Sequence, residues 1–345
     1  PNYLYADVRT RIAAGGSSKT TLALYEMVSL ALEFPIWGNR PTSPIKSVLI
    51  TREDSRDLLV ARIRRIMDSL MLDDSERLRV LENIAIVDLT GCSFRLCTIN
   101  NDVVSPKIPT LKALIECLSR WQPDWIICDP LVSFGVGEAR VNDAEQGLIE
   151  VFRILRNELN CCVEAIHHTG KMVAREKTLD QYAGRGGSAL ADGCRMVAVI
   201  QPIDGKQWLR YTGLELQSMQ TGYIMALPKL SYCAPQQPIY ICREDFRFTH
   251  VPALDEPSSD DLLASNADQV YAFLVEQFAR GERYSMTRLE SCKHGLLLTR
   301  QEIREAFRQL QASGRVIYHH TRGAAGSYFE PLGISGGPAE SGNQR

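Results

Sequence analysis

The 345-residue chain lacks most of the features that would send it to a specialised class. No apolar run approaches the roughly 18 to 20 residues needed to cross a bilayer, and the first residues show no basic-then-apolar leader pattern. No membrane partner is therefore expected, and a cytoplasmic location follows. The ten cysteines include no C-x-x-C pair, and no histidine spacing completes a zinc site, which argues against a structural zinc centre. Cys92 and Cys97, or adjacent Cys161 and Cys162, read instead as reduced core thiols. Charge of one sign is also lacking: the formal net charge is −2, so attraction to a phosphate backbone must come from local basic patches or from loops of an assembled oligomer. There is no internal repeat. What is present, 45% apolar and 23% charged residues, lies within the ordinary globular range, and the length suits one large domain plus a small one.

From residue 8 to about 250, short apolar runs alternate with amphipathic stretches, the pattern of a mostly parallel sheet covered by helices. Strands are expected at Val8 to Ala13, Ser47 to Thr51, Ile84 to Asp88, Trp125 to Cys128, Cys162 to Ile166 and Met196 to Ile200. Helices are expected over 20–34, 58–72, 111–118 and 144–159, with antiparallel additions at Tyr223 to Leu227 and Ile239 to Cys242. Residues 1–250 thus read as one α/β domain, the Pro-, Ser- and acid-rich stretch 251–265 as a linker, 266–331 as a second domain, and 332–345 as a disordered tail.

Chemistry is concentrated at the ends of these strands. Between the first strand and helix lies Ala13-Ala14-Gly15-Gly16-Ser17-Ser18-Lys19-Thr20-Thr21, where successive backbone N–H groups and the helix dipole make an anion cradle. In it Gly15, Gly16, Ser17, Ser18, Lys19, Thr20 and Thr21 would bind ATP, Lys19 reaching the outer phosphates and Thr20 giving an oxygen to Mg²⁺. The usual G-x-x-x-x-G-K-[ST] pattern has Gly where this chain has Ala13 and Ser18. Asp129 ends the apolar strand WIIC, the position of a carboxylate that holds Mg²⁺ through water. Glu53 follows SVLIT, where it would orient the attacking water; its plainer reading is a surface carboxylate among Arg52, Asp54 and Arg56. His167 and His168 close CVEAI as candidates to report the γ-phosphate. Lys171, Arg175 and Lys177 follow in a polar stretch suited to touching DNA phosphates.

Taken in order, PN at the start, AAGGSSKTTLAL, Glu53-Asp54, WIICDPLVSF, IHHTGK and RGGSALADGCR resemble the plasmid RepA-type replicative helicases, hexameric RecA-like ATPases, from about Pro1 to Ile200. The resemblance implies a RecA-like P-loop NTPase fold, a homo-hexameric ring, and ATP-driven work on single-stranded or duplex DNA with replication or loading proteins as partners. Carried over residue by residue, it makes Lys19 and Thr20 the phosphate and Mg²⁺ ligands, Glu53 the catalytic base and Asp129 the second metal-site residue. It makes the His pair, most directly His167, the γ-phosphate sensor, and Arg195 a finger donated to a neighbouring subunit.

The C-terminal stretch reads as three helices and a hairpin and resembles a winged helix-turn-helix domain. Thr299-Arg300-Gln301-Glu302 is a capping box opening the third helix, and Gly323-Ala324-Ala325-Gly326 is the hairpin tip. Ile303, Phe307 and Leu310 face inward, while Arg300, Arg304 and Arg308 fall on an adjacent stripe suited to DNA. Basic residues barely outnumber acidic ones here, so docking to protein is the competing reading. Two other functions fit the same loop: a ParA-like partition ATPase, whose signature Lys position is Ala14 here, and a nucleotide-controlled DNA-binding regulator without unwinding activity.

Overall fold

A computed structural model of the chain describes residues 3–100, 103–135, 141–170, 178–186, 188–254, 259–291, 296, 298–320 and 326–332. The chain divides into two compact units between Leu254 and Asp255. Among the described residues, no helix is long and apolar enough to cross a membrane.

The first unit opens with β1 (Val8–Ala13), α1 (Lys19–Ala31), β2 (Ser47–Thr51), α2 (Arg56–Ser69), α3 (Asp74–Asn83) and β3 (Ile84–Asp88). A small hairpin, β4 (Cys97–Asn100) and β5 (Val103–Pro106), precedes α4 (Ile108–Ser119), β6 (Trp125–Asp129), α5 (Val141–Leu159) and β7 (Cys162–His168). Then come α6 (Ala189–Gly193), β8 (Met196–Ile203), α7 (Gly205–Thr212), β9 (Gln220–Leu230), β10 (Ile239–Glu244) and β11 (Arg247–Val251). Nine strands form one sheet in the order β11-β10-β9-β8-β1-β7-β6-β2-β3. The six from β8 to β3 are parallel because each crossover carries a helix, and β9, β10 and β11 extend the β8 edge antiparallel. Both faces of the central strands are covered, so they read as near-continuous apolar runs. Ala13 lies beside His168, and Thr51 beside Asp129. The loops that leave β1, β2, β6 and β7 therefore meet at one edge.

The six parallel strands and β9 and β10 fall where the apolar runs place them, whereas the β4–β5 hairpin and β11 are not among those expected. Helix α3 does not announce itself, because DSERLRVLEN buries only Val80. Its readable signal is the capping box of Asp73 and Glu76, each side chain accepting from the other's backbone N–H.

Strand β1 carries two charges into the core. Arg9 and Arg11 alternate onto the face covered by α1 and are 1% and 0% exposed. Arg11 donates to Glu164 of β7 at 2.6 Å through Nε and to Glu26 of α1 at 2.5 Å through Nη2. Glu26 also accepts from the Tyr3 hydroxyl at 2.7 Å and the Trp37 indole at 2.8 Å, and Glu164 from the Trp125 indole at 3.1 Å. Arg9 stands 3.4 Å from Glu164 with its guanidinium over the Tyr3 ring. Burial opposes ionisation of Glu164, but Arg11 and then Arg9 outweigh it and hold the carboxyl below its ordinary value. Two arginines and two glutamates thus cancel inside the core, each carboxylate also satisfied by hydrogen bonds.

The second unit comprises α8 (Ser259–Ala279), α9 (Met286–Ser291), α10 (Arg300–Ala312), β12 (Val316–His319) and β13 (Tyr328–Pro331), the two strands pairing antiparallel. The stretch expected as a linker over 251–265 is shorter than its composition suggested: β11 runs to Val251, and α8 is already helical at Ser259. Its aspartates are compatible with a helix start, where the macrodipole favours negative charge. Val270, Leu274, Leu289, Ile303, Phe307, Leu310, Val316 and Phe329 form a core of their own. Thr299 and Glu302 close the capping box at the head of α10. The hairpin tip at 321–325, and the tail from 333, lie outside the described residues.

Removing one member of the buried charge cluster leaves an uncompensated charge rather than a cavity. Glu164→Gln is expected to lower the unfolding free energy by roughly 3 to 5 kcal/mol in urea titrations. A loss below about 1 kcal/mol would show that Arg9 and Arg11 draw little from this carboxylate.

Candidate active site

Strand β1 ends at Ala13, and the chain turns through a loop into α1, whose first residue is Lys19. Gly16 takes φ 74°, and Ser18 φ 64°, ψ 20°, both left-handed. Glycine adopts this conformation freely, whereas a side chain costs roughly 1 kcal/mol or more. The Ser18 penalty sits where the common pattern has Gly, and its hydroxyl is tied down by the Tyr223 hydroxyl at 3.0 Å and by Arg243 Nη1. Lys19 folds back over the loop, Nζ donating to the Ala14 carbonyl at 2.8 Å and lying 3.3 Å from His168 Nδ1. Burial lowers the Lys19 ammonium from its ordinary value, although Asp129 and Glu53 pull the other way. The ammonium is thus partly desolvated, and an incoming anion would favour its charged form.

Across the cleft, the Thr20 hydroxyl donates to Asp129 Oδ2 at 2.6 Å. Burial raises the Asp129 carboxyl to about 6 against the Thr20 hydrogen bond, with Glu53 adding to the rise and Lys19 opposing it. Glu53 stands exposed just past β2, and its neighbour Asp54 is paired with Arg62 at 2.6 Å. Residues 15–21, Glu53, Asp129, His168 and Arg243 line one cleft of about 340 Å³. Thr20 and Asp129 offer hard oxygens, and a buried carboxylate whose ionisation is penalised fits a divalent cation, which would favour its charged form. Mg²⁺ takes only one or two protein oxygens when a nucleotide supplies the rest.

The His pair divides between the two faces of β7. His167 is buried, with Nε2 2.7 Å from the Arg185 carbonyl; burial lowers it to about 4, so the neutral ring donates that bond. A Cβ on Gly184 would come within 2.9 Å of the His167 ring, so the loop closes over this histidine only with glycine there. His168, on the other face, lines the cleft beside Lys19. Of the pair, it is thus His168, and not the His167 to which the resemblance most directly pointed, that lines the cleft with the phosphate loop. Sequence alone offers no means of choosing, because the pleat decides which of two adjacent residues faces the loop.

Arg195 is exposed at the opposite edge of the sheet, its N–H bonded to the Val8 carbonyl at 3.0 Å. Lys171, Arg175 and Lys177 lie outside the described residues. Arg300, Arg304 and Arg308 belong to the second unit, where Arg304 pairs with Glu290 at 2.7 Å while Arg300 and Arg308 are exposed. Sequence reasoning missed Arg62, Tyr223 and Arg243 at the cleft. The last two arrive on β9 and β10, and no local motif marks them.

Residues 4–174 match a family model described as AAA domain. No curated protein matches in sequence. Among solved structures, the chain is similar to a KaiC-like protein from the hyperthermophilic archaeon Pyrococcus horikoshii, with 14% identity over 72% of this chain and 90% of that one and a TM-score of 0.45.

The raised Asp129 value has a stability consequence of definite sign. Between pH 4 and pH 6 the folded carboxyl stays protonated while the unfolded one ionises, so this contribution is present at low pH and is lost as pH rises through about 6. Asp129→Asn should make the nucleotide-free chain more stable than the parent at pH 8, by up to roughly 3 kcal/mol, with no difference below pH 4. Thermal melts at the two pH values measure it, and an equal gap at both would place the effect outside ionisation.

Proposed function

We propose that this chain, whose first unit is a RecA-like P-loop ATPase, is a ring-forming helicase or translocase that uses ATP to move on DNA during replication of a plasmid, phage or similar element. The observation that carries the ATPase part is the convergence of Lys19, Thr20, Asp129, Glu53 and His168 on one cleft from four different loop regions. In this reading the backbone N–H groups of residues 15–20 and the Lys19 ammonium hold the phosphates, and Thr20 and Asp129 hold Mg²⁺. The metal would offset charge on the phosphates. Glu53 accepts a proton from the attacking water, and His168, beside Lys19, responds to the γ-phosphate.

Arg195 acts in a neighbouring subunit. Six residues of β1 separate its edge of the sheet from the phosphate loop, roughly 17 Å at the usual strand rise, beyond the reach of a side chain from the same copy. The ring and the DNA rest on the ordered run of motifs shared with RepA-type helicases. The second unit is read as a winged helix whose Arg300 and Arg308 meet DNA, and Arg304 contributes less because Glu290 holds it.

Lys19→Ala should abolish nucleotide binding, whereas Glu53→Gln should leave binding intact and lower kcat by roughly 100-fold or more. ATPase rates with and without single-stranded DNA, alongside particle mass with a nonhydrolysable nucleotide, test the whole reading. Turnover indifferent to DNA would favour a nucleotide-controlled DNA-binding regulator instead.

Arg300→Ala with Arg308→Ala should weaken duplex binding and reduce its salt slope by about two, one for each phosphate left without its arginine. Basal ATP hydrolysis should not change. An unaltered slope would point to a protein partner for the second unit.

A further inference from the structure

One cation at the cleft has no part in the chemistry above. Arg243 lies on β10, in the antiparallel extension, yet it lines the cleft beside the phosphate loop of its own chain. Its Nη1 donates to the Ser18 hydroxyl, and its Nε donates to the Asp245 carbonyl at 2.7 Å. The guanidinium lies 6.0 Å from the Phe246 ring centroid and 5.6 Å from that of Phe248. Nε is thus engaged by a turn carbonyl, while Nη1 reaches the loop.

We propose that Arg243 is a phosphate ligand supplied in cis, binding the polyphosphate of the nucleotide and giving up the Ser18 hydroxyl when that ligand arrives. The proposal rests on the nucleotide reading of the cleft. Three observations support it. First, the partner Arg243 now holds is a neutral hydroxyl, whereas a charge-assisted bond to phosphate is about twice as strong and can be bidentate. Second, among the described residues no ion pair ties Arg243 to the cleft acids: Asp54 pairs with Arg62, and Asp129 accepts from the Thr20 hydroxyl. Third, the Ser18 hydroxyl stays satisfied without the arginine, because Tyr223 remains at 3.0 Å. The serine that replaces the usual loop glycine then serves as a resting place for Arg243 until the phosphate arrives.

Equilibrium binding of a nonhydrolysable ATP analogue and of ADP to the full chain tests the assignment, with Arg243→Gln compared with Arg243→Lys. Gln can still bond the Ser18 hydroxyl but carries no charge, whereas Lys keeps the charge. The expected result is a loss of roughly 10- to 100-fold in affinity for Gln, partial recovery with Lys, and a weaker dependence of binding on salt in the Gln variant. Gln binding as tightly as Lys, with the salt dependence of the parent, would reduce Arg243 to a brace for the loop and overturn the assignment. Apo melting temperatures close to the parent's establish that both variants fold. If the parent itself bound neither nucleotide, the reading of the cleft would fail; if the parent bound and Gln matched it, only the role of Arg243 would fail.

Discussion

The Arg11 guanidinium joins three elements that have to stay in register for the cleft to exist. It sits on the strand that feeds the phosphate loop and grips Glu26 on the helix leaving that loop and Glu164 on the strand that ends in the His pair. Buried charges are costly, and this cluster is tolerable because its charges cancel and its carboxylates also take bonds from Tyr3, Trp37 and Trp125. Its ion pairs can be made in only one arrangement of β1, α1 and β7. A slip of β1 by one residue would turn both arginines to the other face of the sheet, where the core is apolar. The geometry of the loop is thus fixed from beneath, by charge, as well as from the sides by packing.

Above that foundation the cleft's own charged groups are electrostatically uneasy. Lys19 is lowered and Asp129 raised, both chiefly by burial, so each is held away from its preferred state. A polyanion with a divalent cation answers both at once, the first beside Lys19 and the second beside Asp129. Opposed shifts in adjacent groups are the mark of a site prepared for charged ligands, although ion-pair networks elsewhere also shift such groups.

Much of this was legible in the sequence wherever the information is local. The alternation of apolar runs located the parallel strands, though not the β4–β5 hairpin or β11, and the order of strand, small-residue loop, Lys19 and Thr20 located the cradle. Asp129 was legible because a wholly apolar strand must stop somewhere polar. What escaped depends on pairing between distant segments. VRTRIA looks like an unremarkable strand, and nothing in it says that Arg9 and Arg11 point inward to Glu26 and Glu164. The choice between His167 and His168 needs the pleat. The linker was overestimated because Pro, Ser and Asp describe both an exposed connection and the first turn of a helix.

Ser18 carries one more consequence. The residues that tie its hydroxyl, Tyr223 and Arg243, lie beyond residue 174, where the match to the AAA domain family stops. The match to that family therefore ends well before the cleft does. A truncation drawn where that match stops would retain the phosphate loop, Glu53, Asp129 and the His pair and still leave a left-handed serine with an unanchored hydroxyl, so the smallest fragment worth expressing runs to the end of the sheet extension, at β11.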